Sequence, residues 1–202
     1  MKIFAIHGSP RDKGNTEILL DAFLEGVAEG GLEFEKIKLY ELKFSPCIAC
    51  GECDHLGECV LKDDMTLLYE KYLTSDLLVV ATPIFFYSHP AMVQAFFERF
   101  QAFWAKKYKL NHSHPYGKNP KGILLSLGAT KGKKLFEALV RTFKYVMDAG
   151  WGTYSGGLFF RGIDKRGEIL DYPEYLEKAK TLGKEVFSLP EEKWSLVRDL
   201  SP

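Results

Sequence analysis

The sequence lacks a surplus of charge of either sign. Its 202 residues include 27 lysine and arginine side chains and 27 aspartate and glutamate side chains, so the formal net charge is zero. Proteins that bind nucleic acids or anionic membrane surfaces usually carry a broad excess of positive charge. The balance therefore argues against a nucleic-acid-binding protein and against a protein that basic residues hold at a membrane.

Long hydrophobic runs are also missing. The apolar runs at residues 3–6, 77–81 and 123–125 are far shorter than the roughly 20 residues of a transmembrane helix. The first run is also too short for the core of a secretion signal. We therefore expect a cytoplasmic protein without a membrane partner, in which the four cysteines serve metal or redox chemistry more often than structural disulfides.

Several common catalytic motifs are absent as well. No Gly-Lys-Ser/Thr closes a Walker A loop, and no G-x-G-x-x-G follows a predicted strand. No set of serine, histidine and acidic residues is recognisable as a hydrolytic triad. These absences disfavour a nucleoside triphosphatase, a Rossmann dinucleotide site and a hydrolase with a protein nucleophile.

Short apolar segments alternate with amphipathic ones along the whole chain. Strands are predicted at residues 2–6, 34–39, 77–81, 122–127 and 154–160, and helices at residues 17–28, 65–72, 91–104, 134–147 and 175–187. Continuous apolar runs are typical of parallel strands covered on both faces, so the pattern predicts a doubly wound α/β sheet.

No linker or repeat divides the chain, so we expect one domain over residues 1–202. Two irregular segments interrupt the alternation: a cysteine-rich loop at 43–63 and a surface arm at 106–121. Asp171 and Glu174 precede the last predicted helix at the spacing of a capping pair.

The loop between the first strand and the first helix has the composition of an anion site. Residues 8–16 read GSPRDKGNT, and backbone N–H groups at a helix N-terminus attract negative charge. The side chains that could add hydrogen bonds to a bound anion are Ser9, Arg11, Lys13, Asn15 and Thr16. An ordinary glycine-containing turn is the alternative, but doubly wound sheets bind ligands at this end of the first strand.

Two more loops lie at the same end of the predicted sheet. Residues 82–90, TPIFFYSHP, offer apolar and aromatic surface for a flat ring, although the aromatic side chains could equally belong to the core or an interface. Gly128 and Ala129 would let the backbone form the far wall of the site. His7 and His89 flank these loops, but such histidines more often serve packing, so neither is assigned a catalytic role.

Gly8-Ser9-Pro10-Arg11 followed by Gly14-Asn15-Thr16 resembles the phosphate loop of the NADPH-dependent FMN reductase family. The similarity extends through residues 63–65 and 77–86. It implies a flavodoxin-like five-stranded parallel sheet of order 2-1-3-4-5 with helices on both faces. It also implies an FMN site in which Ser9, Arg11, Asn15 and Thr16 hold the phosphate and Pro83, Ile84, Phe85 and Phe86 contact the ring.

The resemblance further implies an FMN-dependent oxidoreductase. Electrons would pass from NAD(P)H through FMN to a small-molecule or protein acceptor, and no protein side chain would be a catalytic residue. Members of the family form dimers or tetramers, which predicts a homodimer or homotetramer with contacts at residues 91–104 and 106–121.

Cys47, Cys50, Cys53 and Cys59 give the spacing C-x2-C-x2-C-x5-C. The first three match the spacing of a bacterial ferredoxin, whereas zinc prefers two separated pairs and a lone C-x-x-C can be a redox pair. The motif resembles that of iron–sulfur flavoproteins, a branch of the same family with a [4Fe–4S] cluster beside FMN. A cluster and reduced or disulfide-linked thiols are therefore alternatives.

The alternatives for the function follow from those for the cysteines. One is an electron carrier with FMN and a [4Fe–4S] cluster that ferredoxin reduces. The other is a metal-stabilised binding module in which the flavin site is degenerate.

Overall fold

The sheet has the predicted topology. A computed structural model describes residues 1–186 and residue 188. Five strands, all parallel, form one sheet in the order β2-β1-β3-β4-β5. They are β1 Lys2–His7, β2 Glu33–Lys38, β3 Leu77–Pro83, β4 Lys121–Gly128 and β5 Thr153–Arg161. The prediction of a flavodoxin-like, doubly wound fold is confirmed.

Helices cover both faces of this sheet. They are α1 Asn15–Glu29, α2 Cys53–Leu56, α3 Met65–Thr74, α4 Ala91–Glu98, α5 Gln101–Trp104, α6 Glu137–Ala149 and α7 Pro173–Glu185. α1 and α7 pack on one face, while α3 to α6 pack on the other. No helix in the described part of the chain has the length and apolar character needed to cross a bilayer.

The core has two layers, one on each side of the sheet. β3 and β4 contribute alternate residues to both layers, which is why their apolar runs are continuous. The layer under α3 to α6 is rich in aromatic rings, among which Tyr72, Phe96, Phe97, Phe100, Phe103 and Phe143 contact one another.

α1 and α7 approach so closely that two positions at their crossing need glycine. A Cβ on Gly26 would lie 1.8 Å from the Lys180 carbonyl oxygen, and one on Gly183 would lie 2.0 Å from the Phe23 carbonyl oxygen. Both clashes are with backbone, so no rotamer change could relieve them. This crossing fixes α1, whose N-terminus carries the first loop of the candidate site.

The helix predicted at residues 91–104 is interrupted. α4 ends at Glu98, and α5 begins at Gln101 after a turn in which the Phe100 N–H donates to the Phe97 carbonyl. A π-helical turn, Ala105–Lys109, follows directly. The first residues of the predicted surface arm at 106–121 are therefore helical, and the Lys107 and Tyr108 side chains bind the Asp148 carboxylate on α6.

Two helix starts also differ from the prediction. α6 begins at Glu137 rather than at residue 134, because residues 132–137 form turns with hydrogen bonds between residues three apart. The capping pair Asp171 and Glu174 is wrong, since α7 starts at Pro173 after the N-cap Tyr172, with no cap from a side chain that the structure describes. Proline suits this first position because it has no N–H to leave unpaired. The predicted end of this helix, residue 187, lies outside the described residues.

Candidate functional site

The loops that follow β1, β3, β4 and β5 meet in one cleft at the carboxyl edge of the sheet. Its enclosed volume is about 100 Å³. Thirteen residues line it: Ser9, Arg11, Gly14, Asn15, Thr16, Pro83, Ile84, Phe85, Leu127, Gly128, Ala129, Ile163 and Asp164. β1 lies between β2 and β3, so the cleft opens at the point where the strand order reverses and ligands bind doubly wound sheets.

The first loop brings the N-terminus of α1 to the cleft. Gly14 occupies the N-cap position in extended backbone, and none of the described side chains caps the helix. The N–H groups of the first helical turn have no partner within the helix, and the helix dipole adds partial positive charge there. The loop begins at Gly8. A Cβ on Gly8 would lie 2.4 Å from Val93 Cγ2, so the chain passes close to α4 at this point. The arrangement suits an anion.

The side chains that are predicted to hold a phosphate differ in the hydrogen bonds that they make within the protein. Ser9 Oγ accepts from the Arg11 N–H at 3.2 Å, and Arg11 is exposed with Nη1 3.4 Å from the Asp164 carbonyl oxygen. Asn15 ties the first loop to the last one, because Nδ2 donates to the Lys165 carbonyl at 2.8 Å and Oδ1 accepts from the Ile169 N–H at 3.2 Å. Asn15 therefore positions the cleft wall with both of its side-chain polar atoms.

The aromatic loop after β3 ends in a tight hairpin. The backbones of Phe85 and Ser88 exchange two hydrogen bonds of 3.0 and 2.9 Å, and Phe86 and Tyr87 between them have φ of 50° and 60°. Two consecutive positive φ values define a type I′ turn, which usually needs Asn-Gly, so two aromatic residues there are strained. Phe86 projects into solvent with its side chain fully exposed and does not line the cleft.

The loop after β4 closes against this hairpin. A Cβ on Gly128 would lie 3.0 Å from Ile84 Cδ1, and one on Gly132 would lie 2.6 Å from the Tyr87 hydroxyl. Arg161 Nε, at the end of β5, donates to the Gly132 carbonyl at 3.1 Å and ties the loop to that strand. Small residues in this loop therefore allow the second and third loops to meet at the rim of the cleft.

His7 and His89 are buried beside the cleft without lining it, with 1% and 5% exposure. Neither ring nitrogen of His7 has a hydrogen-bond partner among the described atoms. His89 Nε2–H donates to the Leu139 carbonyl at 3.2 Å, and its Nδ1 has no partner in the described part of the chain. Burial lowers the pKa of both rings, to about 4 in His89. These surroundings support packing roles.

We expect His89 to make the protein less stable as the pH falls from about 6.5 to 4. The unfolded ring binds a proton near pH 6.5 and the folded ring only near pH 4, so acid favours the unfolded chain across this window. The loss amounts to about 3 kcal/mol and levels off below the folded pKa. Urea unfolding at pH 7, 6 and 5 measures it. His89→Gln keeps a donor for Leu139 and should make the slope shallower, while His7, whose pKa burial also lowers, keeps part of it. An equally steep slope in the variant would contradict the assignment.

The four cysteines line a second cavity, of about 390 Å³, beneath α4 and α5. All four are free thiols. Cys53 lies against α5, with its Sγ 4.0 Å from the Gln101 carbonyl oxygen. Burial together with Asp54, Cys47 and Cys50 raises the pKa of its thiol. The cysteine-rich segment thus places all four cysteines along the lining of one cavity.

Arg99, at the end of α4, lies behind these cysteines with a fully buried side chain. Its guanidinium makes two hydrogen bonds to the Asp63 carboxylate, of 2.7 and 3.1 Å. It also donates to the carbonyls of Ser45 and Leu61, at 2.9 and 3.4 Å, one on each side of the cysteine segment. The sequence prediction missed this residue. The sequence feature that could have revealed it is a cationic residue within an otherwise aromatic stripe, which the structure buries: Phe96, Arg99, Phe100 and Phe103.

The thiols do not converge on one point. Over residues 1–186 and 188, no three His, Cys, Asp or Glu side chains are placed so that they could hold a metal ion. A zinc site needs four ligand atoms at about 2.0–2.3 Å from a single ion. A [4Fe–4S] cluster binds each thiolate through a different iron, so its ligands surround a volume instead.

Comparison with known sequences identifies relatives over most of the chain. A model of the family described as NADPH-dependent FMN reductase matches residues 1–150. An iron–sulfur flavoprotein of Methanosarcina thermophila is 36% identical over 131 residues, which are 65% of this chain and 65% of that protein. An iron–sulfur flavoprotein of Archaeoglobus fulgidus is 30% identical over 97% of this chain and 83% of its own length. The match to the Methanosarcina protein thus spans slightly less than two thirds of that relative.

Solved structures share the fold. A flavone reductase aligns with a TM-score of 0.68 and 18% identity over 100% of this chain and 66% of its own. An NAD(P)H:quinone oxidoreductase from Methanothermobacter marburgensis aligns with a TM-score of 0.65 and 19% identity, over 92% of this chain and 96% of its own. At these identities the alignments establish the architecture alone.

Proposed function

This chain belongs to the NADPH-dependent FMN reductase family, and from that membership we propose that it binds FMN in the cleft and uses it as an oxidoreductase. Electrons pass from NAD(P)H to a small-molecule or protein acceptor. The observation that carries the proposal is the meeting of the uncapped N-terminus of α1 with the loops after β3 and β4 in one cleft.

The residues present fit a flavin mononucleotide. Anion-binding groups lie at one end of the cleft, at the start of α1, and apolar groups lie at the other, around Ile84 and Phe85. The enclosed volume of about 100 Å³ is smaller than the roughly 300–1,000 Å³ of clefts that enclose drug-sized ligands. A phosphate and its sugar chain would take the enclosed part, and the planar ring would extend to the open side.

In this proposal the protein binds and orients, and the flavin supplies the chemistry. Bound FMN supplies a ring that accepts a hydride and releases electrons singly or in pairs. The first-turn N–H groups of α1, with Ser9, Thr16 and Arg11, hold the phosphate, while Asn15 fixes the loops around it. Pro83, Ile84 and Phe85 offer one wall to the ring, and Gly128 and Ala129 the other. No protein nucleophile is required.

Flavin binding is the first test of this function. We expect the protein to bind FMN about 100-fold more tightly than riboflavin, because the phosphate gains several charge-assisted hydrogen bonds. Quenching of flavin fluorescence on titration measures both affinities. Arg11→Gln should weaken FMN binding about tenfold and leave riboflavin binding unchanged. Lys178→Gln, which removes one exposed cation from α7 outside the cleft lining, is the control. Failure to bind FMN, or equal affinity for the two flavins, would overturn the proposal.

The electron donor separates the two redox functions. Anaerobic addition of NADPH or NADH should bleach the visible absorption of bound flavin if the protein is a reductase. Bleaching by reduced ferredoxin, with none by either nucleotide, would indicate an electron carrier instead.

The cysteine cavity favours the carrier as a second candidate. All four cysteines line one cavity of about 390 Å³, and the relatives from Methanosarcina and Archaeoglobus are named iron–sulfur flavoproteins. The segment fits a [4Fe–4S] cluster with Cys47, Cys50, Cys53 and Cys59 as ligands, and ferredoxin would be the electron donor. The same redox site would then serve a protein partner.

Assembly into a homodimer or homotetramer belongs to the same proposal. A groove between α4–α5 and α6 carries exposed aromatic side chains, Trp104 at 36% and Tyr145 at 73% exposure. Tyr108, from the segment after α5, is also exposed, at 47%. These surfaces include both segments expected to form subunit contacts.

A further inference from the structure

Glu17 is a carboxylate buried directly behind the first loop of the cleft. It is the third residue of α1, and 9% of its side chain is exposed. One carboxylate oxygen accepts from the backbone N–H of Lys13 at 2.6 Å. The other accepts from the ammonium groups of Lys36 and Lys38, each at 3.0 Å. The side chain therefore joins the loop, the helix and β2.

The hydrogen bond from the Lys13 N–H to Glu17 lies where the backbone conformation of the first loop is strained. Lys13 has φ of 51°, a left-handed conformation that residues with a Cβ rarely adopt. The next residue is the N-cap Gly14, and the helix N–H groups that face the cleft follow it. Because the Glu17 carboxylate draws the Lys13 N–H back toward the helix, it holds the turn that presents those N–H groups.

The two lysines make this acidic residue compatible with a bound anion. An isolated carboxylate at the start of α1 would repel a phosphate. Lys36 and Lys38 offset its charge, and they bind Asp21 and Asp12 in turn, at 2.6 and 3.1 Å. Burial by itself would raise the pKa of Glu17, but the Lys13 N–H and the two ammonium groups hold it at about 2. The carboxylate is thus ionised and paired throughout the neutral range.

We propose that Glu17, clamped between Lys36 and Lys38 of β2, is a positioning residue that fixes the first loop in the form that binds the flavin phosphate. The inference rests on the proposed function, because it concerns the same cleft. It assigns to β2, which contributes no residue to the cleft lining, an indirect role in recognising the cofactor.

The ratio of the riboflavin and FMN dissociation constants measures this role. Only FMN carries the phosphate, so loss of loop geometry should weaken FMN binding and spare riboflavin. We expect Glu17→Ala to lower the ratio about tenfold. Glu17→Gln keeps an acceptor for Lys13 but not the charge, and it should lower the ratio by a smaller factor of about three. Glu25→Gln, on the same helix and paired with Lys180 at 2.7 Å, should leave the ratio unchanged.

The outcomes separate this inference from the function on which it rests. A wild-type protein without a preference for FMN would overturn the proposed function. A wild-type preference that persists in folded Glu17→Ala would overturn only the role of Glu17. If Glu17→Ala does not fold, an unchanged ratio in Glu17→Gln would overturn that role in the same way. A parallel fall in riboflavin affinity would show general damage to the cleft and would also contradict the proposal.

Discussion

Arg99→Met should lower the free energy of unfolding by about 3–5 kcal/mol, the usual cost of removing one partner from a buried ion pair. The methionine can fill most of the space of the arginine stem, so the loss reflects charge and hydrogen bonds more than volume. It leaves the Asp63 carboxylate, whose side chain is only 17% exposed, without its cation. It also removes the donors that bind the carbonyls of Ser45 and Leu61.

The second effect of this substitution should appear at the cysteines. Ser45 and Leu61 flank the segment from Cys47 to Cys59, so the guanidinium bonds hold the two ends of that segment together. Without them the thiols should react faster with Ellman's reagent in the metal-free, reduced protein. Urea unfolding and the rate of thiol modification, measured on the same preparation, give both results.

Lys107→Met is the matched control for Arg99→Met. Lys107 pairs with Asp148 at 3.0 Å, but Asp148 is 53% exposed, and exposed ion pairs contribute less than about 1 kcal/mol. A double variant, Arg99→Met with Asp63→Asn, should lose less than the two single losses added together, because it leaves no unpaired buried charge. If Arg99→Met is as mild as Lys107→Met, then Arg99 does not clamp the segment.

The sequence allowed the sheet to be predicted because its strands are buried on both faces. Residues 77–81 are apolar without interruption, and in the structure they contribute to both core layers. The first loop was readable for a similar reason: small residues between a strand and a helix at the carboxyl edge predict an anion site. The structure brings nine of the ten residues predicted to contact the cofactor to one cleft, although their binding of FMN stays a prediction.

What the sequence did not reveal depends on tertiary contacts. Apolar periodicity continues through Phe96, Phe100 and Phe103, so it could not mark the end of α4 at Glu98, where the chain turns and Arg99 reaches the cysteine segment. Phe86, the tenth predicted contact, projects away because its turn has positive φ without glycine or asparagine to signal it. The network of Glu17 was equally hidden, because nothing in β2 indicates that its lysines point toward α1.

Anaerobic reconstitution with ferrous iron and sulfide should load about four iron and four sulfide per chain, the composition of a single [4Fe–4S] cluster. All four cysteines line one cavity of about 390 Å³, so a group that they bind together would lie in that cavity. The cation of Arg99 lies beside Cys59, where it would offset part of the negative charge that four thiolates and a cluster bring together.

Single cysteine-to-serine substitutions test which thiols bind the cluster, and Ser45→Ala is their control. Cys50→Ser should reduce bound iron severely, and Cys59→Ser should do the same if Cys59 is the fourth ligand that we propose. Ser45→Ala alters a neighbour of the motif that offers only its backbone to Arg99, so it should load like the wild type. Near-zero iron in the oxygen-free wild type would exclude the cluster, and mass spectrometry would then distinguish four reduced thiols from disulfides. If Cys59→Ser still loads iron while Cys50→Ser does not, the four-cysteine site is contradicted. A cluster that fills this cavity must reach both ends of the cysteine segment, which Arg99 holds together.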